Sequence, residues 1–418
     1  MGTPLGKAPD PDLGHAPLDT TRYRSAEWAE REWQRVFERC WLYAVPASMV
    51  SEPRSWATFD IGPESVVISR DGSGALHAFY NVCQHRGRRL VDPACGRSGG
   101  FVCPYHAWSY RLDGTVQRVF DREVFPAEME LPTFIPSVRV DVWGGLVWIC
   151  FDPDATSLMD YLGVVPEHLA CYGLERFALV DSQSVRWDCN WKVAMDAFHE
   201  SYHTLGTHPQ MMSYVADTNV QIDCYERHSR FHMPWGAPAP RITERDRPNA
   251  KQAEVFAGYG FDITTFAGTA DEAYLEFQHR KQVWMAERGY PVDALDLFQF
   301  SDVMSYTIFP NVQIAVSAER CLLTRHRPDP TDATRMFFDA QSFAQVPPGD
   351  PWPDVPETRV GEGPDVALVP DFLQQDARNA PRIQSGMASK GFRGAVLGDL
   401  ELRIRHFHAT LDRYMAQP

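Results

Sequence analysis

The chain has 418 residues, of which 44% are hydrophobic and 23% charged, a composition typical of a globular protein with a sizeable core. At roughly 150 residues per domain, this length predicts two or three folded units. Forty Lys and Arg residues against 55 Asp and Glu residues give a formal charge of −15, and the longest basic run is Arg86–Arg89. The charge therefore argues against nucleic acid binding through phosphate contacts.

The amino-terminal residues and the cysteines bear on location and chemistry. Residues 1–19 are polar and rich in Pro and Gly, without the apolar core of a signal peptide. The sequence also lacks the run of ~20 apolar residues that a membrane helix requires. We therefore expect a cytoplasmic protein without a membrane partner. Nine cysteines, an odd number, favour metal ligands and buried thiols over a disulfide framework.

Hydrophobic periodicity predicts three successive regions. Ser25–Arg39 has the pattern of an amphipathic helix capped by Ser25. From Trp41 to Phe151, short alternating apolar runs separated by Gly-containing turns predict an all-β module. After Pro153 the pattern is mixed, and residues 210–300 are irregular and rich in aromatic side chains. The elements predicted there are helices over Asn190–Tyr202, Asp271–Arg288, Asp371–Met387 and Asp399–Met415, strands over Asn311–Arg325 and Arg335–Phe343, and a loop over Pro347–Pro364.

These elements predict an α+β fold in which helices flank an antiparallel sheet. The all-β module is then an insertion between the first helix and the remaining chain. The expected boundaries are an amino-terminal helical segment over residues 1–40, the all-β domain over residues 41–155, and the main part of the α+β domain over residues 156–418.

Two short Cys/His pairs lie within the β module. Cys83-Gln84-His85 and Cys103-Pro104-Tyr105-His106 are separated by seventeen residues. Four such ligands suit either a tetrahedral zinc or a Rieske [2Fe-2S] cluster, with Cys on one iron and His on the other. Because each pair mixes one Cys with one His, each loop can give one ligand to each iron, which favours the cluster. Gly87 permits close backbone approach, Tyr105 is expected to donate to the sulfides, and Cys95 lies off the pattern as a spare thiol.

The wider motifs are similar to those of a known family. CQHRG at Cys83–Gly87, CPYHAW at Cys103–Trp108 and the run Tyr110–Gly114 resemble the Rieske domain of the large (α) subunits of Rieske non-haem iron oxygenases. Ala107 departs from the pattern, since the family commonly has Gly there. The resemblance extends over nearly the whole chain, and it implies that a second metal centre uses the electrons of the cluster.

A second group of potential metal ligands follows farther along the chain. It contains His199, His203 and His208, together with Asp196 and Glu200. His199 and His203 are one helical turn apart and can chelate one ion, whereas His203 and His208 require the helix to end near residue 204. The two acid–His pairs have the same spacing. Spacing alone therefore leaves both pairs of histidines open.

The resemblance selects one pair. The family pattern of an acid, two residues, His, four residues and His fits Glu200, His203 and His208. It implies that both histidines bind a mononuclear Fe(II) as two corners of a facial triad. The third ligand is expected to be Asp376, in a carboxy-terminal segment similar to the acid-containing helix of the family. Asp371 is the rival, although its position after Pro370 suits a helix cap.

The resemblance also implies roles for neighbouring residues. Glu200 is expected to connect the iron ligand His203 to His106 of the partner subunit, which implies a homotrimer with a head-to-tail interface, with or without a smaller β subunit. Glu at this position, where many ring dioxygenases have Asp, is similar to the branch that oxidises N-methyl and quaternary ammonium compounds. Family members often have Asn beside the iron where this chain has Ala197, so the resemblance does not indicate which group, if any, occupies the sixth coordination position of the iron.

The substrate is expected to bind in an aromatic-rich region. Residues 231–309 contain many aromatic side chains, and Met304, Phe309 and Val316 are predicted to line the pocket. An apolar, aromatic-walled cavity suits a ring compound or another hydrophobic substrate, and inward-facing aromatic rings suit a quaternary ammonium group equally well.

The expected function is that of the terminal oxygenase component of a multicomponent Rieske system. The sequence lacks nucleotide-binding and plant-type ferredoxin motifs, so a separate reductase or ferredoxin must supply electrons from NAD(P)H. With O2, the protein would mono- or dihydroxylate an aromatic or hydrophobic substrate, as in aromatic hydrocarbon catabolism. The alternatives are oxidative N-demethylation of a quaternary ammonium or N-methyl compound, a Rieske electron carrier without oxygenase activity, and a structural zinc protein.

Overall fold

The computed structural model describes residues 6–363 and 370–417. The chain divides into two compact units, a discontinuous unit made of Met1–Arg31 with Val164–Pro418 and an inserted unit over Glu32–Gly163. This insertion and the mixture of helices and antiparallel sheets confirm the predicted fold class. The domain boundaries expected after residues 40 and 155 remain predictions, since the division into units falls after Arg31 and Gly163.

The inserted unit is an all-β module, as the alternating apolar runs predict. In its described residues it contains two three-stranded sheets, ordered β1-β10-β9 and β6-β7-β8, and a four-stranded sheet ordered β4-β3-β2-β5. Its core contains the side chains of Trp56, Phe79, Phe101, Trp108 and Tyr110. The strands are β1 Leu42–Pro46, β2 Ser55–Ile61, β3 Glu64–Arg70, β4 Leu76–Tyr80, β5 Cys95–Arg97, β6 Phe101–Val102, β7 Ser109–Tyr110, β8 Val116–Arg118, β9 Arg139–Trp143 and β10 Leu146–Cys150.

The helix predicted over Ser25–Arg39 changes type along its length. Ser25 Oγ accepts a hydrogen bond from Trp28 N at 3.1 Å, as expected of a helix cap. The α-helix α1 covers Ala26–Glu32, and a π-helical turn follows over Trp33–Phe37. The inserted unit ends with the short helix α2, Leu158–Leu162.

The discontinuous unit is built on one large sheet. In the described residues this sheet has eight strands in the order β12-β13-β14-β15-β16-β17-β11-β18, antiparallel except for the β11–β18 pair. The run predicted as one strand over Asn311–Arg325 is instead a hairpin, because Ser317 N donates to Arg320 O and the chain reverses there. The strands are β11 Phe177–Trp187, β12 Gln221–Cys224, β13 Ser229–Met233, β14 Val303–Ile308, β15 Val312–Val316, β16 Arg320–Pro328, β17 Met336–Gln345 and β18 Arg359–Glu362.

Helices flank this sheet. The two carboxy-terminal helices and the long central helix lie close to their predicted positions. The prediction of a helix over Asn190–Tyr202 is correct at its start, where Asn190 is the cap residue of α4. It is wrong at its end, because the helix stops at Ala197. The helices are α3 Val165–Leu169, α4 Trp191–Ala197, α5 Thr204–Thr207, α6 Ala250–Ala257, α7 Ala270–Ala286, α8 Asp371–Met387 and α9 Leu402–Met415.

Two further expectations concern the remaining segments. The region over residues 210–300, expected to be irregular apart from one helix, also contains β12, β13 and α6. The predicted loop over Pro347–Pro364 contains the short edge strand β18, and its last residue lies outside the described residues. Among the described residues, no helix combines the length and the apolar character needed to cross a membrane.

Candidate active site

Two loops of the inserted unit present the Cys/His pairs in the same way. Gly87 N donates to Cys83 O at 2.9 Å, and Ala107 N donates to Cys103 O at 3.0 Å. Gly87 and Ala107 both have a positive φ, 73° and 59° respectively. The left-handed conformation explains why Gly is favoured at both positions, and the alanine costs about 1 kcal/mol relative to glycine.

The side chains on these loops fit the cluster predicted from the sequence. Both cysteines are buried, and the rings of His85 and His106 lie 4.5 Å apart between centroids. Burial, followed by the neighbouring His106 and Arg86, lowers the pKa of His85, which favours the neutral ring that a metal ligand requires. His85 Nδ1 is buried and has no hydrogen-bond partner among the described residues. Two thiols, two imidazoles and one orphaned ring nitrogen match the donors of a Rieske cluster.

Tyr110, not Tyr105, contacts a cluster cysteine. The Tyr110 hydroxyl lies 3.1 Å from Cys83 Sγ, and its oxygen accepts a hydrogen bond from Gln84 N at 2.9 Å. Tyr105 is 53% exposed and its hydroxyl accepts from Arg86, and this arrangement gives no support to the expectation that the hydroxyl donates to the sulfides. The motif run after the second pair contains Tyr110, but its buried position requires the pairing of β6 with β7.

The second group of ligands comes together in the discontinuous unit. His203 Nε2 lies 3.2 Å from His208 Nε2, and Asp376 Oδ1 lies 3.7 Å and 3.1 Å from these two atoms. One atom from each residue lies within 4.8 Å of the others, a spacing that suits a shared metal ion. Two imidazoles and one carboxylate are the donors of a facial triad for iron. The donor set therefore fits the mononuclear iron.

Partners on the far side of each ring orient these histidines. His203 Nδ1 lies 2.5 Å from Glu200 Oε1, and Glu200 Oε2 accepts from His203 N at 3.0 Å. His208 Nδ1 lies 2.7 Å from Gln375 Oε1, which also accepts from Gln210 Nε2. Each Nδ1 thus donates to an oxygen, so each Nε2 is left as the lone-pair donor toward the shared point. Sequence reasoning missed Gln375, although its place beside Asp376 was a signal.

The alternative histidine does not join this group. His199 is fully buried in the core and its ring lies 4.9 Å from that of Phe407. The neighbouring acid, Asp196, accepts hydrogen bonds from Tyr23 at 2.6 Å and from His408 Nε2 at 3.0 Å. The end of α4 at Ala197 separates the two acid–His pairs, because the chain leaves the helix before Glu200.

Helix α8 places Asp376 against the two histidines. Gln384 Oε1 accepts from Asn190 N at 2.6 Å, and Asn379 Nδ2 donates to Thr207 Oγ1 at 3.0 Å. These bonds tie α8 to the start of α4 and to the end of α5. Asp376 is 6% exposed, whereas the rival Asp371 is exposed in the first turn of α8.

A cavity of about 410 Å³ opens beside the triad within the discontinuous unit. His203, His208 and Asp376 form part of its wall. The sheet forms another wall through alternate residues of neighbouring strands, with Ser305 opposite Ala315. The aromatic residues of the lining are Phe198, Phe231, Trp235, Tyr259, Phe277 and Phe372.

The predicted wall residues are corrected by this arrangement. Met304 pairs with Val316 across β14 and β15, on the face opposite to Ser305 and Ala315. Phe309 packs against aromatic rings of α9 and not against the cavity. Met304 belongs to the apolar face of β14, which alternates with a polar face, and the cavity lies on the polar face with Ser305.

A charged network closes one side of the cavity. Lys281 Nζ lies 2.7 Å from Glu319 Oε2, and the Tyr259 hydroxyl donates to Glu319 Oε1 at 2.6 Å. Burial lowers the pKa of Lys281 and raises that of Tyr259, and the carboxylate of Glu319 counteracts the first effect and adds to the second. Glu319 is thus the common partner of Lys281 and Tyr259.

A second, smaller cavity of about 180 Å³ meets the triad from another side of the same unit. It shares Ala197, Glu200, His203 and Asp376 with the larger cavity. Glu200 therefore lies between the two cavities and is accessible from both.

Comparison with known proteins agrees with this geometry. Residues 40–134 match the model of the Rieske [2Fe-2S] domain. Residues 174–417, more than half of the chain, match the model of the ring-hydroxylating α subunit catalytic domain. The chain belongs to the ring-hydroxylating α-subunit family. As a member of this family, it combines a Rieske [2Fe-2S] domain with the catalytic domain of a mononuclear iron oxygenase.

Several curated family members resemble parts of this α subunit. It is 29% identical to the glycine betaine monooxygenase oxygenase subunit of Pseudomonas aeruginosa over 195 residues, which are 46% of this chain and 45% of the relative. It is 33% identical to the large oxygenase component of a naphthalene 1,2-dioxygenase system of the same species, over 44% of this chain and 42% of the relative. For the carnitine monooxygenase oxygenase subunit of Acinetobacter pittii the identity is 31%, over 51% and 57%. The matches span about half the length of these relatives.

Solved structures show the same fold over nearly the whole length. A quaternary ammonium Rieske monooxygenase in complex with L-carnitine superposes with a TM-score of 0.70 at 18% identity, covering 98% of this chain and 99% of that one. A naphthalene 1,2-dioxygenase with indole bound has a TM-score of 0.64 at 20% identity, covering 94% and 90%.

The contact between Tyr110 and Cys83 predicts the redox behaviour of this α subunit. Tyr110→Phe is expected to lower the reduction potential of the cluster, on the order of 50 mV, because the reduced cluster carries more negative charge and gains more from a hydrogen bond to a ligand sulfur. The measurement is a redox titration followed by electron paramagnetic resonance of the reduced cluster. Tyr105→Phe is the matched control and should leave the potential unchanged. Equal shifts in both variants would contradict the role of Tyr110.

Proposed function

We propose that this protein is the terminal oxygenase component of a Rieske system. It uses O2 and electrons derived from NAD(P)H to hydroxylate an aromatic or hydrophobic organic substrate. The observation that carries this proposal is the group of His203, His208 and Asp376 in the wall of an apolar cavity. A pure electron carrier needs the cluster loops but not this group. A structural zinc protein needs neither the cavity nor a second set of ligands.

The side chains have distinct tasks in this reaction. When bound, the mononuclear iron supplies O2 activation, and the cluster supplies single electrons. Glu200 and Gln375 hold the two imidazoles so that both Nε2 atoms point to one place. The apolar walls exclude water and hold the substrate beside the triad. In monooxygenation, one oxygen atom enters the substrate and the other leaves as water, with the consumption of two electrons and two protons.

Electrons must reach the triad from outside the discontinuous unit. We assign this path to Glu200, which is hydrogen-bonded to His203 and lines the smaller cavity as well as the larger one. A carboxylate that contacts both an iron ligand and a cluster ligand shortens the gap between the two centres. The proposed arrangement is a homotrimer in which His106 of the partner subunit contacts Glu200, and a separate reductase or ferredoxin reduces the cluster.

The second candidate function is oxidation of a quaternary ammonium or N-methyl compound. The aromatic rings of Phe231, Trp235 and Phe277 line the cavity, and rings of this kind bind quaternary ammonium groups through cation–π contacts. Relatives named for glycine betaine and carnitine oxidation add support. Hydroxylation of an N-methyl carbon gives an N-hydroxymethyl group. Cleavage of its C–N bond then releases formaldehyde and leaves the demethylated amine.

A single-turnover experiment tests the proposal and separates the two candidates. The holoenzyme is reduced with dithionite, freed of excess reductant and mixed with ¹⁸O2 and a panel of ring compounds and N-methyl compounds. We expect an oxygenated product in an amount matched to the electrons stored. Incorporation of ¹⁸O into a ring compound supports hydroxylation, and formaldehyde with the demethylated amine supports the second candidate. Reoxidation of the cluster without product from any compound would contradict both.

A further inference from the structure

The large cavity is lined by two groups of charged side chains. The triad and Glu200 form the first group. The second consists of Lys281, Glu319 and Arg320, all of which line the cavity, and we call it the hairpin group. Arg320 is the first residue of β16 and Glu319 lies in the turn before it, while Lys281 comes from α7. The sheet hairpin and one helix thus bring three charges to one wall.

The hairpin group lies away from the triad along the sheet. Arg320 and Thr324 both line the cavity and are four residues apart on one face of β16, or about 13 Å of strand. The Thr324 hydroxyl lies 3.3 Å from His326 Nε2, and the His326 ring lies 5.4 Å from that of Phe198. Phe198 directly follows α4 and precedes Glu200 by two residues. Thr324 therefore marks the triad end of this wall and Arg320 the far end.

The carboxylate of the hairpin group already has partners on both oxygens. Lys281 Nζ lies 2.7 Å from Glu319 Oε2, and the Tyr259 hydroxyl donates to Glu319 Oε1 at 2.6 Å. A cationic substrate group would have to compete with this buried ion pair. Glu319 is therefore not a free receptor for an ammonium group.

The cations of the hairpin group outnumber its carboxylate. Of the three N–H donors of the Lys281 ammonium, Glu319 engages one, and the guanidinium of Arg320 forms neither a hydrogen bond nor an ion pair with any described residue. Burial lowers the pKa of Lys281, Glu319 opposes this effect, and the charge of Arg320 adds to it. Arg320 is thus near enough to Lys281 to repel it. Two cations against one carboxylate leave one positive charge in excess.

An excess positive charge in a cavity wall selects its ligand by charge. An anionic group beside the two cations accepts charge-assisted hydrogen bonds from both and offsets their repulsion. A carboxylate also matches the planar fork of a guanidinium. A neutral substrate gains neither effect, and a cationic group at this end is repelled.

We infer that the substrate carries an anionic group, such as a carboxylate, which binds Arg320 and Lys281 at the hairpin end of the cavity while its apolar part extends toward the triad. Arg320 is then a specificity-determining residue. This inference rests on the proposed function only in taking the cavity as the substrate site. It applies to both candidate reactions, because a ring compound and an N-methyl compound can each carry a carboxylate.

The test compares matched probes that differ in charge. The probes are 4-phenylbutanoate, its neutral amide and 4-phenylbutylammonium, which share the ring and the chain length. Binding of each probe to the anaerobic holoenzyme is measured by equilibrium dialysis. The variants are Arg320→Gln, which removes the charge, and Arg320→Lys, which keeps it. Arg280→Gln is the matched control, because Arg280 is an exposed arginine of α7 that precedes Lys281, pairs with Glu276 and is not part of the cavity lining.

The readout is the ratio of the dissociation constants for the amide and the carboxylate. We expect the wild type to bind the carboxylate more than about tenfold tighter than the amide, and the ammonium probe most weakly. The ratio should fall about tenfold in Arg320→Gln, fall less in Arg320→Lys and stay unchanged in Arg280→Gln.

Several outcomes would overturn the inference. These are an unchanged ratio in Arg320→Gln, an equal fall in Arg320→Lys or in Arg280→Gln, tighter binding of the ammonium probe than of the carboxylate by the wild type, and no binding of the carboxylate. Binding requires neither O2 nor electrons, so a failure to form product would affect the proposed function alone.

Discussion

Replacing Asp376 by alanine is expected to remove the mononuclear iron and to reduce product formation by more than about 100-fold. The carboxylate is the anionic member of the group that brings His203 and His208 to one point. Without it, only the two imidazoles remain, which bind a divalent cation weakly. The Rieske cluster lies in the other unit of the fold and should keep its visible absorption. Iron analysis and single-turnover product yield are the measurements.

The chain supplies a matched control for this substitution. Asp371→Ala removes an acid from the same helix, five residues away, where the side chain is exposed and outside the group. This variant should keep its iron and its turnover. If Asp371→Ala lost its iron and Asp376→Ala kept it, the iron ligand would be Asp371 and not Asp376. Retention of iron and turnover in both would refute the triad.

Replacing Glu200 by glutamine is expected to leave both metal centres filled and to stop electron transfer between them. Glutamine keeps the size of the side chain, and its carbonyl oxygen can still accept from His203 Nδ1. The glutamine amide carries no negative charge, and only its oxygen atom accepts hydrogen bonds. The second hydrogen bond of this side chain, which we propose to form with His106 of the partner subunit, is therefore weakened. Oxidation of the reduced cluster in a single turnover should slow by more than about 100-fold.

Glu401→Gln is the control for the loss of charge. Glu401 lines the same smaller cavity, and burial, followed by the negative charges of Glu200 and Asp196, raises its pKa. Among the described residues it forms no hydrogen bond or ion pair with the triad histidines, although its charge contributes to the raised pKa of His203. This variant should oxidise its cluster at the wild-type rate. Normal cluster oxidation in Glu200→Gln would remove Glu200 from the electron path.

The candidate ligands could be proposed from the sequence because their chemistry constrains their spacing. The two Cys/His pairs must lie on short loops, and this requirement leaves a recognisable pattern in the sequence. Spacing did not distinguish His199 from His208, since both lie within reach of His203. The structure separates them through the end of α4 at Ala197.

The walls of the cavity could not be predicted in the same way. In β14 apolar Met304 alternates with polar Ser305, but both faces of the strand are buried, and the apolar face predicted to form the cavity wall is the wrong one. The hairpin between β15 and β16 was missed because its turn contains neither Gly nor Pro. Gln375 and Tyr110 act through partners far away in sequence. Contacts of this kind follow from strand pairing and helix packing, which a single sequence does not specify.

The central claim is that one polypeptide contains both a Rieske cluster and a separate iron. It is tested most directly by iron and acid-labile sulfide analysis of the anaerobically prepared protein, combined with visible spectroscopy. We expect about three irons and about two sulfides per chain, with the broad absorption of a Rieske cluster. About two irons with two sulfides would reduce the protein to an electron carrier. Zinc without iron or sulfide would contradict the account altogether.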